Sequence, residues 1–284
     1  MSAEGRGRAV MRVSDAVTTA GGARANEDRV GYAGRLAWVI DGATDLYADA
    51  ALPAASDVQW LVDTIAERLR QAGADGYSGG GAALLDEIAR YICDQMAAFD
   101  FPSDRVPPAC SLVLAADCGE SYEITRIGDA TAVVAGADSM VLGTDFFDRR
   151  EARAVAAERA GAAAERVTAG KHWRRLETMT SGGLESIFSG HPNRALRPHT
   201  IAGSWEDISG VLLCTDGFAR LITDYRLYGK WSEVMVDALD KGLACLEKML
   251  REAEADPTSA RPGRFKRADD AAALLLTPTM GGSA

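Results

Sequence analysis

The chain has 284 residues, 47% of them hydrophobic, with 31 basic against 41 acidic side chains for a formal net charge of −10. That apolar content can bury one large core or two smaller ones. A surface this acidic argues against nucleic acid or an anionic membrane as the main partner, because both recruit a positive field.

Residues 9–17 alternate in polarity and predict a first strand, followed by a glycine turn at Gly21-Gly22. Residues 35–40 form a short apolar run that stops at Asp41-Gly42, a strand ending in a turn. From Ala48 to Gln71 the residues Leu52, Val58, Leu61, Val62, Ile65 and Leu69 fall at helical spacing. A second helix is predicted over Ala82 to Phe99, behind the loop Gly79-Gly80-Gly81. Segments 110–116, 121–127 and 131–135 are short, β-branched and separated by turn residues, which predicts consecutive antiparallel strands. Residues 147–190 read as mostly helical, broken by Gly161, Gly170 and Gly182-Gly183. Strands return at 198–203 and 209–215, the second ending at Asp216-Gly217. A long helix over 232–254, a proline-containing loop at 257–263 and a last strand at 271–276 complete the order, with fraying expected from Pro278 onward. This order is α+β rather than a regular βαβ alternation, and helices on the outer faces of two packed antiparallel sheets satisfy it. With no internal repeat and no low-complexity linker, one domain over 1–284 is expected.

Five cysteines, Cys93, Cys110, Cys118, Cys214 and Cys245, form no CxxC pair, which excludes a disulfide framework or a zinc site and reads as buried small hydrophobes. No run of about 18 apolar residues predicts a membrane helix. Met1 to Val10 carries Arg6 and Arg8 without an apolar stretch behind them, unlike a secretory signal, so a cytoplasmic location is expected. Trp38, Trp60, Trp205 and Trp231 fall in apolar-periodic segments and are expected in the core, and Lys171-His172-Trp173-Arg174-Arg175 reads as a solvated basic helix face.

Chemistry is suggested by the acidic residues at the strand ends: Glu27-Asp28, Asp41-Gly42, Gly128-Asp129, Asp216-Gly217 and Asp269-Asp270. A single Asp-Gly after a strand is ordinary turn chemistry. As a set, carboxylates at strand ends can converge on one rim of a sandwich, and that many hard oxygens suit Mg²⁺ or Mn²⁺ rather than zinc. His172, His191 and His199 form no i,i+4 pair, and neither a phosphate-binding GxxxxGK[ST] loop nor a GxSxG elbow is present.

Asn26-Glu27-Asp28, Asp41-Gly42, Gly128-Asp129, the run Leu212 to Phe218 and Asp269-Asp270 before an apolar strand resemble, in order and approximate spacing, the type 2C metal-dependent serine/threonine protein phosphatases (the PPM family), as a divergent bacterial-type member. The resemblance spans about residues 9–277. It implies a four-layer α-β-β-α sandwich and a pair of Mn²⁺ or Mg²⁺ ions. Asp41 would bridge the ions and the Gly42 carbonyl would complete one shell. Glu27 and Asp28 would hold one ion, Asp28 through water, while Asp216 and Asp269 would ligate the other and Asp129 would serve a weaker third. Arg24 would fork the phosphate of a phosphoserine or phosphothreonine protein, and the helical region 147–195 would take the place of a flap. Catalysis would fall to Asp41, Asp216 and Arg24.

Four residues depart from that pattern. Arg24 stands four residues before Asp28 where five is usual, and Ala43 replaces the histidine sometimes credited as general acid, a group worth about 10²–10⁴-fold when the leaving group needs a proton. Arg220 stands where an aspartate is expected, a cation that would weaken the third metal site by removing a ligand and adding repulsion, and Ala272 stands where a polar residue is usual. A pseudophosphatase serving as a binding module is therefore the principal alternative, and a phosphatase of a small metabolite another.

Overall fold

The structure is a computed structural model that describes residues 9–22, 25–160, 164–181, 183, 185–256, 258–259 and 267–280. In chain order the elements are β1 (Ala9–Thr19), β2 (Arg29–Ala33), β3 (Leu36–Gly42), α1 (Asp57–Ala74), α2 (Gly81–Ala98), β4 (Ala109–Asp117), β5 (Ser121–Ile127), β6 (Thr131–Gly136) and β7 (Met140–Leu142). They continue with α3 (Phe146–Arg159), α4 (Ala164–Thr180), β8 (Phe188–Ser189), β9 (His199–Ser204), β10 (Ile208–Cys214), α5 (Asp216–Thr223), α6 (Trp231–Lys241), α7 (Leu243–Ala255) and β11 (Ala271–Met280).

Two antiparallel sheets result, a five-stranded one in the order β1-β11-β10-β6-β7 and a six-stranded one in which β2-β3-β4-β5-β9 form the path and β8 pairs β4. Strand periodicity sorts their side chains into separate cores. Ala37, Val39, Val113 and Ala115 face Val211, Leu213, Leu274 and Leu276 between the sheets. The alternate residues Trp38, Ile40, Leu112 and Leu114 face outward onto Leu61, Ile65 and Leu69 of α1 and Leu85, Ile88 and Ile92 of α2. On the far side Leu212, Cys214 and Leu275 pack against Phe218 of α5, Val234 of α6 and Leu246 and Leu250 of α7. Helices thus cover both outer faces, the expected α-β-β-α sandwich.

Several boundaries differ from the sequence-based expectation. The first helix starts at Asp57 rather than near Ala48, because the Asp57 carboxylate accepts the Ala51 and Leu52 amides at 2.7 and 2.9 Å. Ser56 caps the helix through its hydroxyl, which accepts from the Gln59 amide at 3.0 Å. The helix expected over 232–254 is two helices, broken at Gly242 with φ +82°. Gly170 lies inside α4 rather than breaking it, and the short elements β2, β7, β8 and α5 carried too little periodicity to be predicted. Pro278 lies within β11, paired with Met11 beyond the stretch that β10 covers, so no ladder donor is missing there. Trp38, Trp60 and Trp205 are buried as expected, whereas Trp231 is half-buried. Of the cysteines, Cys110 and Cys214 are buried but Cys118 is exposed. Among the described residues no helix is long and apolar enough to cross a membrane.

Candidate functional site

The acidic turns of both sheets open onto one cavity of about 400 Å³, lined by Asp41, Gly42, Ser111, Asp129, Asp216 and Asp269 together with Arg150, Arg174 and Arg175 from α3 and α4. Each carboxylate is placed by a strand end. Asp41 ends β3, which β4 fixes by pairing Asp41 with Ser111. Asp216 opens α5 directly after β10, and its amide donates to Asp41 Oδ2 at 3.2 Å, tying one sheet to the other at the rim. Asp129 sits in the turn between β5 and β6 behind Gly128, whose φ of +84° and close approach to Ser111 leave no room for a Cβ. The Ser111 hydroxyl hydrogen-bonds the Asp129 carboxylate and accepts its amide at 3.1 Å.

The paired acids divide their roles. Asp270 accepts the Gly21 amide at 2.9 Å and the Glu27 amide at 2.7 Å, so its carboxylate fastens the N-terminal segment to β11. Asp269 faces the cavity and takes an ion pair from Arg220 at 2.7 Å. Asp28 is buried beneath the rim, and its Oδ2 has no hydrogen-bond partner among the described residues. Glu27 stands off the cavity lining and accepts from the Ser56 hydroxyl at 3.2 Å. Arg24 lies outside the described residues.

Burial and mutual repulsion set the electrostatics. Desolvation pushes the Asp28 carboxyl well above the usual range, against a hydrogen bond from the Thr215 side chain, and Asp270, Asp216 and Asp269 push it further. Asp41 is raised in the same way, first by burial and then by Asp216, Asp28, Asp129 and Asp269. Asp129 is raised by burial and by Asp148, against the hydrogen bond from Ser111.

Among the described residues no three His, Cys, Asp or Glu side chains form a ready-made metal-holding group. Amides, the Ser111 hydroxyl and Arg220 hold oxygens of Asp41, Asp129, Asp269 and Asp270. The donor chemistry nevertheless fits a hard divalent ion. The set is all oxygen and includes Asp28 Oδ2, which has no hydrogen-bond partner among the described residues.

The arginine wall was not legible as such in the sequence. Arg175, expected on a solvated face, is instead half-buried and donates to the Thr44 carbonyl at 2.9 Å. Desolvation lowers its pKa to about 10, with Asp45 and Glu27 acting the other way. Arg150 is committed to Glu177 at 2.5 Å and to the Thr178 hydroxyl at 2.9 Å, while Arg174 lines the cavity between them. The one signal available was the density of arginines in 149–175, which does not say which face packs inward.

Solved structures with the same fold include the serine/threonine phosphatase PstP/Ppp of Mycobacterium tuberculosis, at 18% identity over 94% of this chain and 98% of that one, TM-score 0.56. The catalytic domain of PstP in complex with two manganese ions aligns at 17% identity over 95% and 99%, TM-score 0.57. Stp1 from Staphylococcus aureus aligns at 14% over 94% and 95%, TM-score 0.57. At these identities the likeness is one of fold. Among curated proteins nothing matches. The family model described as protein phosphatase 2C matches residues 24–252, a span that takes in Asp28, Asp41, Asp129 and Asp216, and the chain belongs to that family.

Proposed function

We propose that this protein is a metal-dependent phosphatase of phosphoserine and phosphothreonine in proteins, acting as a single domain over 1–284 with α3 and α4 as a flap beside the site. The observation that carries the reading is the convergence of Asp41, Asp129, Asp216 and Asp269 on one cavity that Arg150, Arg174 and Arg175 also line. Asp28, Asp41, Asp216 and Asp269, with the Gly42 carbonyl and Glu27 at the edge, would hold two Mn²⁺ or Mg²⁺ ions, and Asp129 a weaker third. When bound, such a pair supplies a nucleophilic water at neutral pH and neutralises charge on the phosphoryl group.

The chain's own residues do the rest. Arg174 orients the phosphate from the flap side, a duty that Arg24 would share from the N-terminal segment. Arg175 fixes the 42–45 turn through the Thr44 carbonyl. Asp216 and Asp41 stay in register through the amide contact between them. Ala43 offers no proton to the leaving group, so esters with acidic leaving groups should turn over best. Five unpaired thiols fit a reducing compartment and hence a cytoplasmic enzyme.

The Arg220–Asp269 ion pair favours a second reading, a weakly active or inactive member kept as a binding module. Hydrolysis of p-nitrophenyl phosphate with and without Mn²⁺, for wild type beside Asp41→Asn, separates the two. Mn²⁺-dependent turnover lost in the variant supports the enzyme. No turnover by a wild type that binds Mn²⁺ supports the module. Phosphopeptides carrying phosphoserine or phosphothreonine then test the substrate class.

A further inference from the structure

We propose that Arg220 is a built-in cation occupying the Asp269 side of the carboxylate cluster, so that two divalent ions bind unequally, the second only when Asp269 gives up Arg220. The inference rests on the metal-dependent reading above and adds an order of loading to it.

Arg220 and Asp216 are one turn apart on α5, and helical side chains lean toward the N-terminus, so the guanidinium lies over the turn that presents Asp216. It is 2% exposed and donates from one terminal nitrogen to Asp269 Oδ2 at 2.7 Å. A second carboxylate, Asp224, stands 3.7 Å from its Nε. Asp269 is held from the other side as well, because Arg251 of α7 donates to its backbone carbonyl at 2.8 Å. The carboxylate is therefore fixed in direction by a buried charge-assisted contact rather than left to swing toward a metal.

Asp28 and Asp41 present the opposite case. Asp28 Oδ2 has no partner among the described residues, and Asp41 is engaged by a backbone amide, a neutral donor. Among the described residues no guanidinium pairs with either of these two carboxylates, so an ion arriving at Asp28 and Asp41 breaks no ion pair of theirs. An ion arriving between Asp216 and Asp269 must break a buried ion pair and leave a guanidinium beside a divalent charge, and both effects oppose binding. The same pairing serves the metal-free protein, where Arg220 offsets part of the repulsion among the buried acids.

The test is calorimetric titration of the metal-free protein with Mn²⁺, with melting curves in chelator, for wild type, Arg220→Met and Arg220→Lys. Wild type should bind one ion tightly and a second at least tenfold more weakly. Arg220→Met should tighten the second ion at least tenfold, melt lower than wild type in chelator, and gain more from Mn²⁺ than wild type does. If Arg220→Met does not fold without metal, Arg220→Lys carries the test: its ammonium keeps the charge but not the planar guanidinium that reaches Asp269 from one nitrogen and faces Asp224 from another, so the second ion should bind several-fold tighter than to wild type. Two equal ions in wild type, or an unchanged second ion in the variants, overturns the proposal and leaves the phosphatase reading standing. No Mn²⁺ bound by any of the three proteins overturns both.

Discussion

Replacing Asp216 by asparagine should stabilise the metal-free protein while abolishing Mn²⁺-dependent turnover. Asp216 is the first charged neighbour that raises Asp41, and it also raises Asp28. Two unit charges about 5 Å apart at an effective permittivity of about 20 repel by about 3 kcal/mol. Partial protonation, the direction in which Asp41 is already pushed, relieves much of that, which leaves a net gain of about 1–2 kcal/mol for the neutral, near-isosteric amide. The Asp216 amide contact to Asp41 is main-chain and survives the change. At about 2–4 °C per kcal/mol for a chain of this size, the variant should melt roughly 2–8 °C above wild type in chelator. With saturating Mn²⁺ the order should reverse, because a ligand held at 100 times its dissociation constant adds about 2.7 kcal/mol to the protein that binds it. Melting curves in chelator and in Mn²⁺, with p-nitrophenyl phosphate hydrolysis alongside, read all three quantities. A variant that melts at or below wild type in chelator refutes the reasoning, since repulsion within the cluster would then not limit stability.

Arg126 is buried at the base of the Gly128-Asp129 turn, where it donates to the Gly128 carbonyl and to Glu185; Arg126→Met should cost about 3–5 kcal/mol in urea unfolding, because it strands a mostly buried carboxylate. Gly128→Ala should cost about 2 kcal/mol or more, by forcing an alanine into a left-handed φ against Ser111, and an unchanged denaturation midpoint would contradict that geometry. In chelator the urea midpoint should fall as pH rises above the unfolded carboxylate range, about pH 4. Asp28 and Asp41 bind protons in the folded protein that the unfolded chain gives up above about pH 4, so their contribution is present at low pH and lost as pH rises through their folded values. Added Mn²⁺ at pH 8 should restore the midpoint, and a midpoint that climbs with pH in chelator would count against the raised carboxyls.

The parts of the fold that were legible in the sequence are those decided by local alternation. The strand at 121–127 was placed to the residue: Tyr122 and Ile124 face the inter-sheet core and alternate with half-exposed Ser121 and Glu123. The acidic turns were legible for the same reason, since a strand that stops at Asp-Gly announces its own end. Contacts between distant segments were not. The Asp57 carboxylate holds the Ala51 and Leu52 amides outside the helix, although Leu52 continues the helical rhythm. Arg220 and Asp269 are 49 positions apart, and Arg175 and Thr44 are 131 apart. Which way an arginine turns depends on what the rest of the chain packs beside it, and charge composition carries no such information.

That long-range packing also gives a physical account of Ala43. The residue sits on the cavity lining, where a histidine could have served as an acid. Here its methyl group packs into a small apolar cluster with Ala109, Met179 and Ile187, and its amide donates to the Ala109 carbonyl at 3.0 Å. Met179 belongs to α4, the same helix that sends Arg175 to the Thr44 carbonyl. The turn after Asp41 is therefore a docking point for α4, held by an apolar contact at one residue and by a charged donor at the next. The apolar contact at Ala43 and the charged donor at Thr44 thus seat one arginine-bearing helix beside the cavity.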